Sequence, residues 1–401
     1  MADNPPPDIS RGPGTKRGGT SGKVADFRYK RPARPDMRDT AARAGADAGI
    51  AKAFAPSRSS NHPHHRQAYA ALDLGTNNCR LLIARPSGAD FTVIDAFSRV
   101  VRLGEGLAAS GRLSDEAMER TLAALHVCAE KLRRRNVRLA RSVATEACRR
   151  AANGPKFIER VKQETGIVLD IISAQEEARL AVLGCHVLLE DGTGPAIIFD
   201  IGGGSTELVL VEPNGAVPRI LDWMSVPWGV VSLTDTVPHT ERTEEGRLAR
   251  YAEMRRLVAR SFEPFARRIA EHRRPADEIR LLGTSGTVTT LASLHLELPQ
   301  YDRRVVDGLI LPSQSMRDVS ARLSRMSEAD RRQLPCIGDD RANLVIAGCA
   351  ILESILDIWP ATQLGVADRG IREGILRSLI AADASGEQGR AALQRMREQD
   401  V

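Results

Sequence analysis

An apolar strand that runs into an Asp-x-Gly turn and out into a second apolar strand occurs twice in this chain, and the repeat narrows the possible folds more than any other feature. The first copy is Ala70-Ala71-Leu72-Asp73-Leu74-Gly75-Thr76-Asn77-Asn78, continuing through Cys79 to Ala84. The second, 127 positions on, is Ile197-Ile198-Phe199-Asp200-Ile201-Gly202-Gly203-Gly204-Ser205-Thr206-Glu207, continuing through Leu208 to Val211. Each reads as a β-hairpin. Facing each other, two such hairpins offer backbone N–H groups to phosphate oxygens and carboxylates to a metal ion. The role expected of Gly75 and of Gly202 to Gly204 is a positive φ that lets oxygens approach successive N–H groups, although ordinary hairpin turns use glycine for the same reason. Two copies in one strand context favour the ligand reading.

With 401 residues, 42% of them hydrophobic, the chain can bury two domain cores and still leave tails. Residues 1–67 carry 13 Lys or Arg against 6 Asp, a surplus of +7 in a chain whose net charge is +6, so the remainder stands at −1. This basic N-terminal tail, residues 1–66, is rich in Pro, Gly, Ser and Arg without apolar periodicity, and reads as disordered. Its charge suits contact with polyanions. His62, His64 and His65 lack a Cys or carboxylate framework and read as tail composition rather than as a metal site. The six cysteines form no C-x-x-C pair and read as reduced core thiols, which with no apolar run of membrane-spanning length predicts a cytoplasmic protein.

Between the hairpins, residues 91–101 read as a third strand, Ser114 opens a helix, and residues 139–144 form a strand with Thr145 to Arg150 at its carboxyl end, where open α/β sheets bind ligands. Residues 168–172 form another strand before a helix that begins at Ser173. Ser173 and Glu176 have capping-box spacing, so Glu176 is expected to reach back to the Ser173 N–H. Glu177, about 100° further round the helix, is then left for chemistry. Further on, Asn214-Gly215 reads as a turn, residues 241–272 as a charged helix, Gly283-Thr284-Ser285-Gly286-Thr287 as an anion site at a helix start, and 341–358 and 370–380 as helices.

Asp73 and Asp200 each end an apolar strand, where a lone carboxylate is costly unless paired or bound to metal. Mg²⁺, which takes one or two protein carboxylates and fills its shell with water and phosphate oxygens, fits that arrangement, with Glu207 as a third acidic group. No G-x-x-x-x-G-K-[ST], H-E-x-x-H or G-x-S-x-G run is present, so attack by an activated water is the economical mechanism.

In order along the chain, Asp73-Leu74-Gly75-Thr76-Asn77, Thr145-Glu146-Ala147-Cys148-Arg149, Ser173 to Arg179, Asp200 to Glu207, Gly283 to Thr287 and Asp368-Arg369-Gly370-Ile371-Arg372-Glu373-Gly374 resemble the exopolyphosphatase and guanosine pentaphosphate phosphohydrolase family. The resemblance covers residues 69–380. It implies an α/β, two-domain actin-like (ribonuclease-H-like) fold with the active site in the inter-domain cleft. The expected division is 67–173 with a return of 370–384, then 174–369, then a charged C-terminal tail, 385–401. The resemblance further implies Mg²⁺-assisted hydrolysis of the terminal phosphoanhydride of polyphosphate or, alternatively, of guanosine pentaphosphate. In it Glu177 is the general base, Asp200 the main metal ligand with Asp73 and Glu207 nearby, and Gly75, Thr76, Asn77, Arg149, Gly203, Gly204 and Ser205 contact phosphate, joined by Ser285 and Gly286. A homodimer is an expectation of the resemblance alone. Longer members add a C-terminal helical domain of the HD type; this chain reads as the short form. Asn343 stands where members commonly carry Asp.

Two rivals remain open at this point. A kinase of the same fold needs an acceptor-binding insertion and a differently placed catalytic Asp, and the Gln175-Glu176-Glu177-Ala178-Arg179 run argues against it. A non-hydrolytic sensor of polyphosphate or guanosine phosphates would have no use for Glu177 and the acidic pocket together.

Overall fold

The computed structural model describes residues 67–399 except 89, 191, 193, 213, 215, 216, 238–241 and 272–278, and beyond 386 the backbone alone. The basic tail and Gly215 of the expected turn lie outside the described residues. All described residues belong to one compact unit, 46–401.

The first hairpin is β1 (Ala68–Leu74) and β2 (Asn78–Ser87), and β3 (Asp90–Val100) completes an antiparallel meander. After α1 (Leu107–Ser110) and α2 (Asp115–Arg134), β4 (Val137–Ala144) returns parallel to β1; α3 (Glu146–Arg150) and α4 (Gly154–Thr165) lead to β5 (Leu169–Ile171) and then α5 (Ala174–Cys185). The sheet order is β3-β2-β1-β4-β5. The second hairpin, β6 (Ala196–Ile201) and β7 (Thr206–Glu212), starts the same plan again. Next come β8 (Arg219–Val226), α6 (Val230–Thr236), α7 (Glu244–Ala270), β9 (Arg280–Thr284), α8 (Gly286–His295), α9 (Arg303–Val306) and β10 (Ile310–Pro312). α10 (Ser313–Arg325), α11 (Glu328–Arg332), α12 (Val345–Ile358), β11 (Gln363–Ala367) and α13 (Ile371–Gln399) close the chain. The second order is β10-β11-β9-β6-β7-β8. Read from the meander inward, three antiparallel strands followed by two parallel ones occur in both sheets, with β10 an added antiparallel edge. This is the ribonuclease-H-type sheet in duplicate, the actin-like α/β fold.

β1 is apolar at almost every position because both of its faces are buried. Leu72 and Leu74 pack with α2 and α4 residues such as Leu125 and Phe157, while Tyr69 and Ala71 face α5 and α13. α5 is apolar on two sides for a related reason. Its Leu180 and Ala181 join the core under the first sheet, and its Ala178, Val182 and Cys185 pack on Ile198, Val209 and Leu282 of the second. α13 crosses α5 backbone to backbone: a Cβ on Gly184 would stand 1.9 Å from the Gly370 carbonyl oxygen, and one on Gly374 2.0 Å from that of Leu180. Only glycine permits that approach.

Two expectations need correction. The helix read over 341–358 begins at Val345, because the buried Arg331 guanidinium donates to the Ala342 carbonyl (2.8 Å) and draws off an acceptor that a helix would use. Residues 341–344 form a turn instead, and Asn343 lies in it. The closing helix read over 370–380 is longer than expected, since α13 runs from Ile371 to Gln399 through the charged C-terminal segment. The short helix α6 was not anticipated, its Val-Val-Ser-Leu-Thr sequence having the β-branched look of a strand.

Candidate active site

Both hairpin turns close with the same hydrogen bond, Gly75 N–H to Asn78 O and Gly202 N–H to Ser205 O, each 2.9 Å. Gly75 and Gly202 to Gly204 do not adopt positive φ, contrary to expectation. The second turn needs glycine for space. A Cβ on Gly203 would stand 3.0 Å from Thr76 Cβ and 3.1 Å from the Asn77 nitrogen; one on Gly204 would stand 2.5 Å from Thr76 Oγ1. The two turns therefore meet directly, one from each sheet. Gly75 has only an ordinary 3.6 Å contact.

A cleft opens where they meet. Asp73, Gly75, Thr76, Asn77, Glu177, Asp200, Gly203, Gly204, Ser205, Glu207, Ser285 and Gly286, all singled out from the sequence, line it together. Arg149 is not on the lining and is one step behind it. The wall also includes polar residues not singled out as site residues, among them Arg80, Glu146, Thr290 and Arg341. Arg80 was legible by aligning the copies, because it pairs across the first hairpin with Asp73 as Glu207 pairs across the second with Asp200. Arg341, which donates to Thr290 Oγ1 (3.1 Å), comes from the turn before α12 and gave no such signal.

The carboxylates are poorly solvated and close enough to repel. Burial, with Asp73 adding to it and Arg80 opposing, pushes the Asp200 carboxyl up to about 6. Burial and then Asp200 push Glu207 up to about 7, although Glu207 Oε1 accepts from Ser205 Oγ (2.7 Å) and Ser225 Oγ (2.9 Å). Asp73 is raised by burial, against Arg80 and Arg372. Its buried Oδ1 has no hydrogen-bond partner, nor do Asn77 Oδ1 and Ser285 Oγ. Among the described residues no three His, Cys, Asp or Glu side chains stand close enough to hold an ion by themselves. An ion that takes one or two carboxylates and otherwise water and phosphate fits these groups: a buried unpartnered oxygen on Asp73 and crowded anions whose repulsion a cation would relieve.

Ser173 Oγ accepts from the Glu176 N–H (3.2 Å) and starts α5 as expected, but Glu176 does not reach back. Arg141 (2.9 Å) and Arg179 (2.7 Å) take its carboxylate. The reach-back is made at the matching place in the second copy, where Glu373 accepts from the Gly370 N–H (3.0 Å). Glu177 is 6% exposed and its Oε2 accepts from Arg149 Nη1 (3.1 Å). Burial first, then Glu207, raise its pKa well above the usual carboxylate range, with Arg149 opposing. Arg149 itself is committed: Nη1 also donates to Ile172 O (2.8 Å), and Nε and Nη2 donate to Glu146 Oε2 (3.1 and 2.6 Å). Cys148, beside it, is buried and pushed up to about 12, so it supplies no thiolate.

A model of the Ppx/GppA phosphatase family matches residues 82–382. Exopolyphosphatase 2 of Mycobacterium tuberculosis is 31% identical over 324 residues, 77% of this chain and 98% of the relative. A solved Ppx/GppA family member from Aquifex aeolicus is 30% identical with a TM-score of 0.64, covering 79% of this chain and 98% of its own. An exopolyphosphatase structure from Cytophaga hutchinsonii, 24% identical over 79% of this chain and 98% of its own, shares the fold with a TM-score of 0.69. With three quarters of its length inside the family model and the duplicated sheets in place, the chain belongs to the Ppx/GppA phosphatase family.

Proposed function

We propose that this phosphatase is an exopolyphosphatase, releasing orthophosphate from the end of a polyphosphate chain by water attack. The observation that carries the reading is Glu177: a buried glutamate on the cleft wall, held at one oxygen by Arg149, beside two Asp-x-Gly turns that converge on the same space. The name borne by the Mycobacterium tuberculosis relative supports polyphosphate as substrate.

Phosphoryl transfer asks of a protein positioning and charge neutralisation more than covalent help. The N–H groups at Thr76, Asn77, Gly203, Gly204 and Ser205, with Ser285 and Gly286 at the start of α8, orient the terminal phosphate, while Gly75, whose N–H closes its turn on Asn78 O, shapes the first turn on the cleft wall. Arg149 keeps Glu177 Oε2, which leaves Oε1 to accept the proton of the attacking water. The new P–O bond forms as the bridging P–O bond breaks, and the shortened chain departs as its own oxyanion. Asp200, with Asp73 and Glu207, would hold Mg²⁺, which when bound neutralises charge on the phosphate oxygens. Residues 67–173 with 370–384 form one domain in this reading and 174–369 the other, joined where α5 and α13 cross.

Initial rates with long-chain polyphosphate, tripolyphosphate, guanosine pentaphosphate and ATP, side by side with Mg²⁺, test the assignment. The highest kcat/KM is expected for a polyphosphate. A clear preference for guanosine pentaphosphate would replace it with the nucleotide activity.

A further inference from the structure

The Nε/Nη2 edge of arginine is the two-nitrogen fork that matches a carboxylate or a phosphate. In Arg149 both nitrogens of that edge are on Glu146 Oε2, and Nη1 is on Ile172 O and Glu177. Glu146 is itself on the cleft wall, its side chain only 12% exposed, with Oε1 3.8 Å from Arg150 Nε. Its Cγ lies against the second glycine turn, where a Cβ on Gly204 would come within 2.9 Å of it. A carboxylate on the cleft wall thus stands between the arginine fork and the second glycine turn, which lines the same cleft.

We propose that Glu146 is a specificity-determining residue, a built-in counter-ion that competes with the phosphate chain for the Arg149 fork. The inference deepens the exopolyphosphatase reading and rests on it for the identity of the anion. A phosphate group that engages Arg149 must displace Glu146, so the carboxylate subtracts from the affinity of every anion at this position and subtracts least from chains with further phosphates to anchor elsewhere. Glu146 and Glu177 are both held by Arg149, and Glu146 acts on the substrate through that arginine.

The test is a double-mutant cycle on the full chain. Binding of inorganic tripolyphosphate is measured by calorimetry in EDTA at fixed ionic strength for the native protein, Glu146→Gln, Arg149→Met and the double variant. Phosphate release from long-chain polyphosphate with Mg²⁺ is followed in parallel. Loss of one charge-assisted competitor predicts that Glu146→Gln tightens Kd on the order of tenfold and lowers KM in the same direction. The gain should vanish in the Arg149→Met background. Unchanged or weaker binding by Glu146→Gln would overturn the proposal, showing that the carboxylate only holds Arg149 in place. A gain that persists without Arg149 would overturn it too, since it would then be general repulsion. Where Arg149→Met does not fold, Arg149→Lys, which keeps the charge without the two-nitrogen fork, takes its place in the cycle. Coupling without any polyphosphate hydrolysis would uphold Glu146 and sink the activity, whereas hydrolysis without coupling would sink Glu146 alone.

Discussion

Glu176 and Glu177 are adjacent in sequence and opposite in surroundings. Arg179, and then Arg141, hold the Glu176 carboxyl below its usual range, while burial and the neighbouring Glu207 lift Glu177 well above it. If Glu177 must be ionised to accept a proton, turnover rises with pH through a limb above the ordinary carboxylate range, because the raised pKa keeps the group protonated below it. A kcat/KM profile measures that limb, and a limb at the usual pKa of about 4.3 would remove Glu177 from the role. Asp200→Asn is expected to lose about 10²-fold or more of phosphate release and to erase any rise in Tm on adding Mg²⁺. The identity of these groups was legible in the sequence, because the Asp-x-Gly turns and the Glu-Glu pair are local signals. The partners were not. Arg149 comes from α3, and its guanidinium serves two carboxylates, the Nε/Nη2 edge on Glu146, one turn back, and Nη1 on Glu177, a residue on a different helix 28 positions on.

At the scale of elements, the crossing of α5 and α13 leaves no room for a side chain at Gly184 or Gly374. Gly374→Ala or Gly184→Ala would force a methyl against a backbone oxygen about 2 Å away, and overpacking of that kind typically costs about 1–3 kcal/mol or more. The expected result is a lower Tm, by several degrees, in thermal unfolding. Gly75→Ala makes the contrast. Its Cβ would meet nothing closer than 3.6 Å and its φ is not positive, so stability should change little. The strands other than β10 and the helices α2, α5, α7, α8, α12 and α13 were legible in the sequence, since β1 and β6 are apolar apart from Asp73 and Asp200 and α2 has its Ser114 cap and basic last turn. The start of α12 and the reason for the turn glycines were not. Both depend on a distant group: Arg331 for the first, Thr76 of the opposite hairpin for the second.

For the whole molecule, ionisation sets the pH range in which the fold is comfortable. Asp200, moved from 3.8 to about 6, and Glu207, moved from 4.5 to about 7, have folded pKa values above their unfolded ones. Their contribution is therefore fully present at low pH and lost as pH rises through those values. Glu373 runs the other way: burial would raise it, but Arg372, Arg303 and the Gly370 N–H bring it to about 2, so its stabilisation is lost as pH falls through that value. Without divalent ions, these groups make stability highest at about pH 4 and lower it from there to about pH 7, and Mg²⁺ should restore more Tm at pH 8 than at pH 5. Equal Mg²⁺ effects at the two values would contradict the placement of the ion at these carboxylates. The duplicated Asp-x-Gly hairpin brings two sheets together around a buried glutamate, and the central claim is that this glutamate activates water against a phosphoanhydride. Phosphate release from long-chain polyphosphate with Mg²⁺, compared between the native protein and Glu177→Gln, tests it most directly. The prediction is a fall in kcat of about 10²- to 10⁴-fold with KM little changed; equal release from the two proteins would contradict the claim.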